Sequence, residues 1–291
     1  VEIGKVPDTY DKLIYELDLA FRVTKRGPQR MGVVYGSEML HCDLEEMYGG
    51  YKAAVREGRC ETSDWAARGM SQLFPLWMLK YLPNMVACHI GIANDARGPN
   101  NTIVQGEASS LLAIIEGMQV IRRGLADVMV VGGTGNRMHL MSILYRGFEQ
   151  VSHRREAPQA ASRPFDADRD GMVNGEGAAA LILETEAHAA ARNAKILGRI
   201  LGAGMAFESR LAPGPSSGEG VANSIRLALQ SAQCEPADVG FVKAHGASTV
   251  VDDPIEARGI HRVLGEVPVT APKSYFGNLG AGGGAVEAQL R

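Results

Sequence analysis

The sequence predicts an α/β fold built from two related halves, and three observations carry that prediction. Thr102-Ile103-Val104 is β-branched, Gly106 breaks it, and Leu111, Leu112, Ile115, Met118 and Ile121 then recur at helical spacing as far as Gly124: strand, tight elbow, helix. Residues 128–131 follow as a buried strand closed by Gly132-Gly133. Helix, turn and strand then return in the same order, and Ala126-Asp127-Val128 with Gly135 matches Ala237-Asp238-Val239 with Gly246 at one offset of 111 positions.

Taken in order, residues 9–25 place Leu13, Leu17 and Phe21 on one face, and Gly27-Pro28 stop them, which predicts an amphipathic helix. A short strand is expected at 31–35. Gly36-Ser37-Glu38 turns the chain, and residues to about Trp65 read as a surface excursion broken by Gly49-Gly50 and Gly58. Residues 85–92 read as a buried helix. Its Cys88-His89 pair is no nucleophile–base couple, because adjacent residues on a helix point in different directions. Ile225, Leu227 and Leu229 lie in a further helix, and 237–239 lead into a strand ending at His245-Gly246. The Pro/Gly/Ser run at 212–218 is expected to be a surface loop.

Composition narrows the function classes. With 30 Lys and Arg against 33 Asp and Glu, a formal charge of −3 and no basic block, the chain lacks the electrostatic footprint of nucleic-acid binding. Its apolar stretches, such as 128–131 and 178–183, fall far short of the roughly 20 residues that span a bilayer. Four cysteines without CxxC spacing suggest neither a disulfide framework nor a zinc site, so a reducing cytoplasm is the expected location and no metal or cofactor is expected. The 35 glycines are the outlier, well above the usual share of about 7%, and imply many close backbone approaches.

Three segments could hold chemistry. Glu107, at the elbow, would face free N–H groups and the positive end of a helix, where an anion is stabilised; an ordinary acidic residue at a helix start is the plainer reading. His245 closes a buried strand among small residues, where, taken alone, a satisfied structural histidine is the plainer reading. The run from Pro272 through Ala285 could open a helix that packs closely against another element or a ligand, and its glycine spacing matches no phosphate-binding loop.

Together these segments resemble the type II β-ketoacyl-acyl carrier protein synthases, condensing enzymes with a thiolase fold. The resemblance is carried by Gly98-Pro99-Asn100-Asn101-Thr102, by Ala126-Asp127-Val128-Met129 with Gly132-Gly133, and by Ser162-Arg163-Pro164-Phe165-Asp166 with Arg169-Asp170-Gly171 and Gly175-Glu176-Gly177. It continues in His245-Gly246-Ala247-Ser248-Thr249 with Asp253 and Glu256, and ends in the Lys273 segment. It implies a layered α-β-α-β-α fold with halves at 1–184 and 185–291. His245 and Lys273 would then stand where the family keeps its first active-site histidine and its active-site lysine. Measured against the family, the opening strand and the last strands with their Gly-rich loop are absent, so the chain is expected to be truncated at both ends.

Two departures set the functional expectation. Glu107 stands where the family carries its nucleophilic cysteine, and Asn278 where it carries a second histidine. A carboxylate is a weak nucleophile and an acyl anhydride a poor intermediate, so acyl transfer through this chain is not expected. The resemblance therefore points to a non-condensing subunit like the chain-length factors, dimerising with an active synthase and meeting acyl carrier protein. A homodimer, and an active malonyl-carrier-protein decarboxylase or unusual ketoacyl synthase, are the alternatives. Decarboxylation would need His245 and Asn278 as donors to an enolate oxygen, and an ionised Glu107 would oppose it. The resemblance also places residues 128–131 and 98–101 near the subunit interface.

Overall fold

The computed structural model describes residues 27–39, 42–146, 150–208 and 216–290. The helix expected at 9–25, and most of the loop expected at 212–218, lie outside the described residues. The strands are β1 (Met31–Gly36), β2 (Val55–Arg56), β3 (Arg59–Cys60), β4 (Asn100–Ile103), β5 (Val128–Asn136), β6 (Glu176–Glu184), β7 (Val242–Lys243) and β8 (Val269–Thr270). The principal helices are α1 (Leu44–Ala54), α2 (Met85–Ala93), α3 (Ser109–Arg122), α4 (Leu140–Arg146), α5 (Glu186–Ala191), α6 (Glu219–Ala232), α7 (Asp252–Leu264), α8 (Lys273–Phe276) and α9 (Gly283–Gln289).

A four-stranded sheet in the order β4-β1-β5-β6 organises the first half; β1 runs parallel to both β4 and β5, and β6 closes the sheet antiparallel to β5. Every residue of β1 is buried, as expected for a parallel strand covered on both faces. The two faces divide by alternation. Met31, Val33, Tyr35, Val128 and Val130 pack with Ala87 of α2 on one side, and Val34, Met129 and Val131 pack with Ala113, Ile114 and Val120 of α3 on the other. Each such side chain contributes about 1.5–3 kcal/mol through burial, so these two clusters anchor the sheet. Helix α9 joins α3 against β5 and β6.

The repeated unit is visible in the helices, since α3 and α6 are both 14 residues long and each leads through a turn to a strand. The second strand is much shorter than the first: β7 has two residues, parallel to β8. Lys243 on β7 donates its ammonium to the carbonyl of Glu287 at 3.1 Å, which ties this pair of strands to α9.

Three expectations need correction. The strand at 128–131 does not stop at Gly132-Gly133 but continues to Asn136, paired opposite Glu176. Glycine usually weakens a strand, but here it makes room: a Cβ on Gly135 would sit 2.1 Å from the Leu279 carbonyl oxygen, so only glycine lets the 278–282 loop lie against β5. The surface excursion after Glu38 contains α1, whose burial is confined to Met47, Gly50 and Ala54, too few to register as a periodic apolar face. Helix α2 is only half embedded: Ala87 and Gly91 are buried while Ile92 is exposed. Residues 128–131 lie in the interior of the sheet, whereas β4 is an edge strand with Asn100 and Asn101 exposed.

Candidate functional site

Three strand ends and one loop build the site. After β4, Gly106 takes a left-handed φ of 56°, and a single 3₁₀ turn over Gly106–Ala108 leads into α3. The Ser109 hydroxyl fastens this elbow by donating to the Gly106 carbonyl at 2.6 Å while accepting the Gln105 N–H at 2.8 Å. The turn projects Glu107 into a cleft. Arg137 leaves the end of β5 directly opposite, its own N–H held by the Gly175 carbonyl at 3.0 Å.

His245 follows β7, where both carboxylate oxygens of Glu256 accept N–H bonds, from His245 at 2.6 Å and Gly246 at 2.8 Å. Asp253, on the same helix, accepts the Phe165 N–H at 2.8 Å. Phe165 and Ser248 both hold positive φ angles, 63° and 66°, rare for residues with side chains, so Asp253 supports a strained loop beneath the histidine. Burial pushes the Asp253 carboxyl up, against the Phe165 N–H and Arg169.

Glu107 meets three donors. His245 Nε2 lies 2.5 Å from Oε2, and Asn278 Nδ2 donates to Oε1 at 2.9 Å. The Arg137 guanidinium Nη2 pairs with the same Oε1. Burial works against ionisation of Glu107, but the hydrogen bond and charge of His245, the charge of Arg137 and the Asn278 hydrogen bond outweigh it and hold the carboxyl well below the usual carboxylate range. Burial likewise opposes protonation of His245, yet the Glu107 hydrogen bond and charge, opposed in part by Lys273, raise the imidazole above its ordinary value. Each shift favours the charged form of its own group in this pair.

Glu107 and His245, 138 positions apart in sequence, are therefore in direct contact, and Asn278 joins them. Glu107 is ionised as expected, but side chains rather than the free N–H groups of α3 stabilise it. Lys273 is buried, and its ammonium pairs with Glu287 on α9, a partner not evident in sequence; the Ser162 hydroxyl fixes the Lys273 carbonyl at 2.7 Å. His245 and Asn278, the two expected donors, both face Glu107. Arg137 was the residue sequence reasoning missed. Its signal was a lone charge closing the small-residue run 132–136, one strand end away from the elbow.

A groove of about 550 Å³ lined by Phe165, Ile260, His261, Val267 and Tyr275 among others includes none of Glu107, Arg137, His245, Lys273 and Asn278. Among the described residues, no group of three or more His, Cys, Asp and Glu is placed to hold a metal, and no helix is long and apolar enough to cross a membrane.

The ion pair carries a pH signature. Glu107, lowered on folding, contributes stability that is complete above its unfolded value of about 4.3 and lost as pH falls through the folded one. His245, raised on folding, contributes stability that is complete below about 6.5 and lost as pH rises through its folded value. The pair therefore stabilises most between about pH 4.5 and 6.5. Urea unfolding at pH 5.5 and 8.5 is expected to show a larger loss at the higher pH for the unsubstituted protein than for His245→Gln. Parallel profiles would mean that the pair does not form.

Comparison with known proteins agrees with this architecture. The model of the β-ketoacyl synthase N-terminal domain matches residues 20–189, and that of the C-terminal domain matches residues 197–290. The 3-oxoacyl-[acyl-carrier-protein] synthase 2 of Mycobacterium tuberculosis is 41% identical over 78% of this chain and 56% of its own length. The solved structure of a type II PKS acyl-carrier protein in complex with its ketosynthase bound to the hexaketide superimposes with a TM-score of 0.77 at 25% identity, covering 99% of this chain and 72% of that one. The ishigamide ketosynthase/chain length factor does so with a TM-score of 0.71 at 25% identity, covering 91% and 62%. The chain thus spans little more than half the length of the mycobacterial relative. With its thiolase-like α/β fold and both domain models in sequence order, the chain belongs to the β-ketoacyl synthase family.

Proposed function

We propose that this chain is a non-condensing β-ketoacyl synthase homologue that pairs with an active synthase, in the manner of a chain-length factor. One observation carries the reading: the side chain at the elbow is a carboxylate already engaged by His245, Asn278 and Arg137. Condensation needs a nucleophile there that attacks a thioester and later leaves, and a stabilised carboxylate does neither well. The similarity to a ketosynthase/chain length factor structure supports the same reading.

Malonyl decarboxylation is the less favoured alternative. It requires donors aimed at a developing enolate oxygen, and losing one such donor typically costs about 10²–10³-fold. Here both candidate donors are committed to Glu107, whose own charge repels an enolate.

Pairing would use the open edge of β4, whose unpaired backbone groups form a template for another strand. Acyl carrier protein is the second partner in this reading, and 184/185 the division between the halves.

Mass spectrometry of the chain, alone and co-expressed with a homologue bearing cysteine at the elbow, tests the proposal after incubation with malonyl- and acyl-carrier protein. The expected result is no acyl adduct on this chain and a complex with the homologue. Ketoacyl product from this chain alone, lost on Glu107→Ala, would overturn it.

A further inference from the structure

We infer that Arg137, Asn278 and His245 form a carboxylate-binding cradle which Glu107 occupies as a tethered ligand, so that removing its side chain opens a site for a free small carboxylate. The inference concerns the cradle itself and holds whether or not the chain condenses acyl groups.

The three donors come from separate segments and converge on one carboxylate: Arg137 and Asn278 on Oε1, His245 on Oε2. Arg137 and Asn278 are each only 1% exposed, while the Glu107 and His245 side chains are half-buried. Contacts other than Glu107 hold the Asn278 side chain and the backbones of His245 and Arg137. The Asn278 N–H donates to the Val173 carbonyl at 2.8 Å, and the Gly280 N–H donates to Asn278 Oδ1 at 3.0 Å, which turns the amide nitrogen toward the cleft. Met172 Sδ lies 3.7 Å from Arg137 Nη1 and 3.6 Å from Asn278 Nδ2, a soft wall behind both donors. The His245 backbone is held by Glu256.

Charge points the same way. Lys273 is paired with Glu287, so the positive charge bordering Glu107 belongs to Arg137 and His245. The planar fork of the Arg137 guanidinium matches a carboxylate better than a spherical anion. Glu107→Ala deletes a methylene and a carboxylate, the equivalent of one acetate. The ligand class is therefore a monocarboxylate of one or two carbons, formate or acetate.

The test is equilibrium unfolding of Glu107→Ala in sodium acetate or formate against sodium chloride at equal ionic strength. Acetate is expected to lower the unfolding constant of this variant about tenfold at ten times its dissociation constant, with saturation. The unsubstituted protein, Glu107→Gln with its filled cradle, and Glu107→Ala/Arg137→Met should show no difference between acetate and chloride. If Glu107→Ala is not recovered folded in chloride, refolding yield in the two salts gives the same readout. Equal behaviour of Glu107→Ala in acetate and chloride, or an equal acetate response in the unsubstituted protein, would overturn the inference.

Discussion

Glu107→Ala is expected to lower the unfolding free energy by about 3–5 kcal/mol, the range found when one partner of a buried ion pair is removed. The reason lies in Arg137, which is 1% exposed and would lose the Glu107 carboxylate that faces its charge. The reverse change is milder. In Arg137→Met the Glu107 carboxylate keeps the His245 and Asn278 donors and a side chain 28% exposed, so a loss of about 1–3 kcal/mol is expected. The double variant Glu107→Ala/Arg137→Met removes both charges, and its loss should fall well below the sum of the two, as groups in one network do not add. Urea denaturation of all four proteins gives the cycle. Additive losses would mean that the pairing of Arg137 with Glu107 carries no energy.

That asymmetry bears on how much of the site could be read in advance. The elbow was legible because the β-branched run Thr102-Ile103-Val104 gives way across Gly106 to apolar residues at helical spacing, which marks strand and helix on either side of Glu107. The meeting of Glu107 with His245 was not, since no local pattern joins positions 138 apart; it came from resemblance, through the histidine and lysine segments. Arg137 escaped both routes. Gly132-Gly133 reads as a strand end by every local rule, yet the strand runs on because the 278–282 loop must press against it, and that tertiary demand leaves no periodic trace. The second half shows the same limit: helix α6 carries a clear apolar pattern, but β7 is two residues long and is held by Lys243 and Glu256 rather than by alternation.

Within the cleft, each charge is matched. Arg137 and His245 face Glu107, Lys273 faces Glu287, and Asn278 spends its amide donor on Glu107. A substrate carbonyl entering here would meet His245 and Asn278 already engaged by Glu107. In the proposed non-condensing reading, that engagement would add to the absence of a thiol at the elbow.

Glu107→Cys separates those two causes. The new thiol would stand at the first turn before α3, beside the His245 imidazole and the Arg137 guanidinium, surroundings that lower a thiol below its ordinary value of about 8.5. Arg137 would gain a thiolate partner, so this variant should be less destabilised than Glu107→Ala. Alkylation by iodoacetamide at pH 7 is expected to run roughly tenfold faster at this position than at the exposed native Cys60, because a larger fraction is thiolate. With the carboxylate gone, His245 and Asn278 become free to hold a thioester carbonyl, and intact-mass spectrometry should show an acyl adduct with acyl-carrier protein that the unsubstituted chain lacks. Adding Arg137→Met should slow alkylation by removing the nearer permanent cation. If the new thiol reacts no faster than Cys60 and Arg137→Met leaves its rate unchanged, then the cleft does not stabilise an anion at this position, and the electrostatic account of Glu107 fails with it.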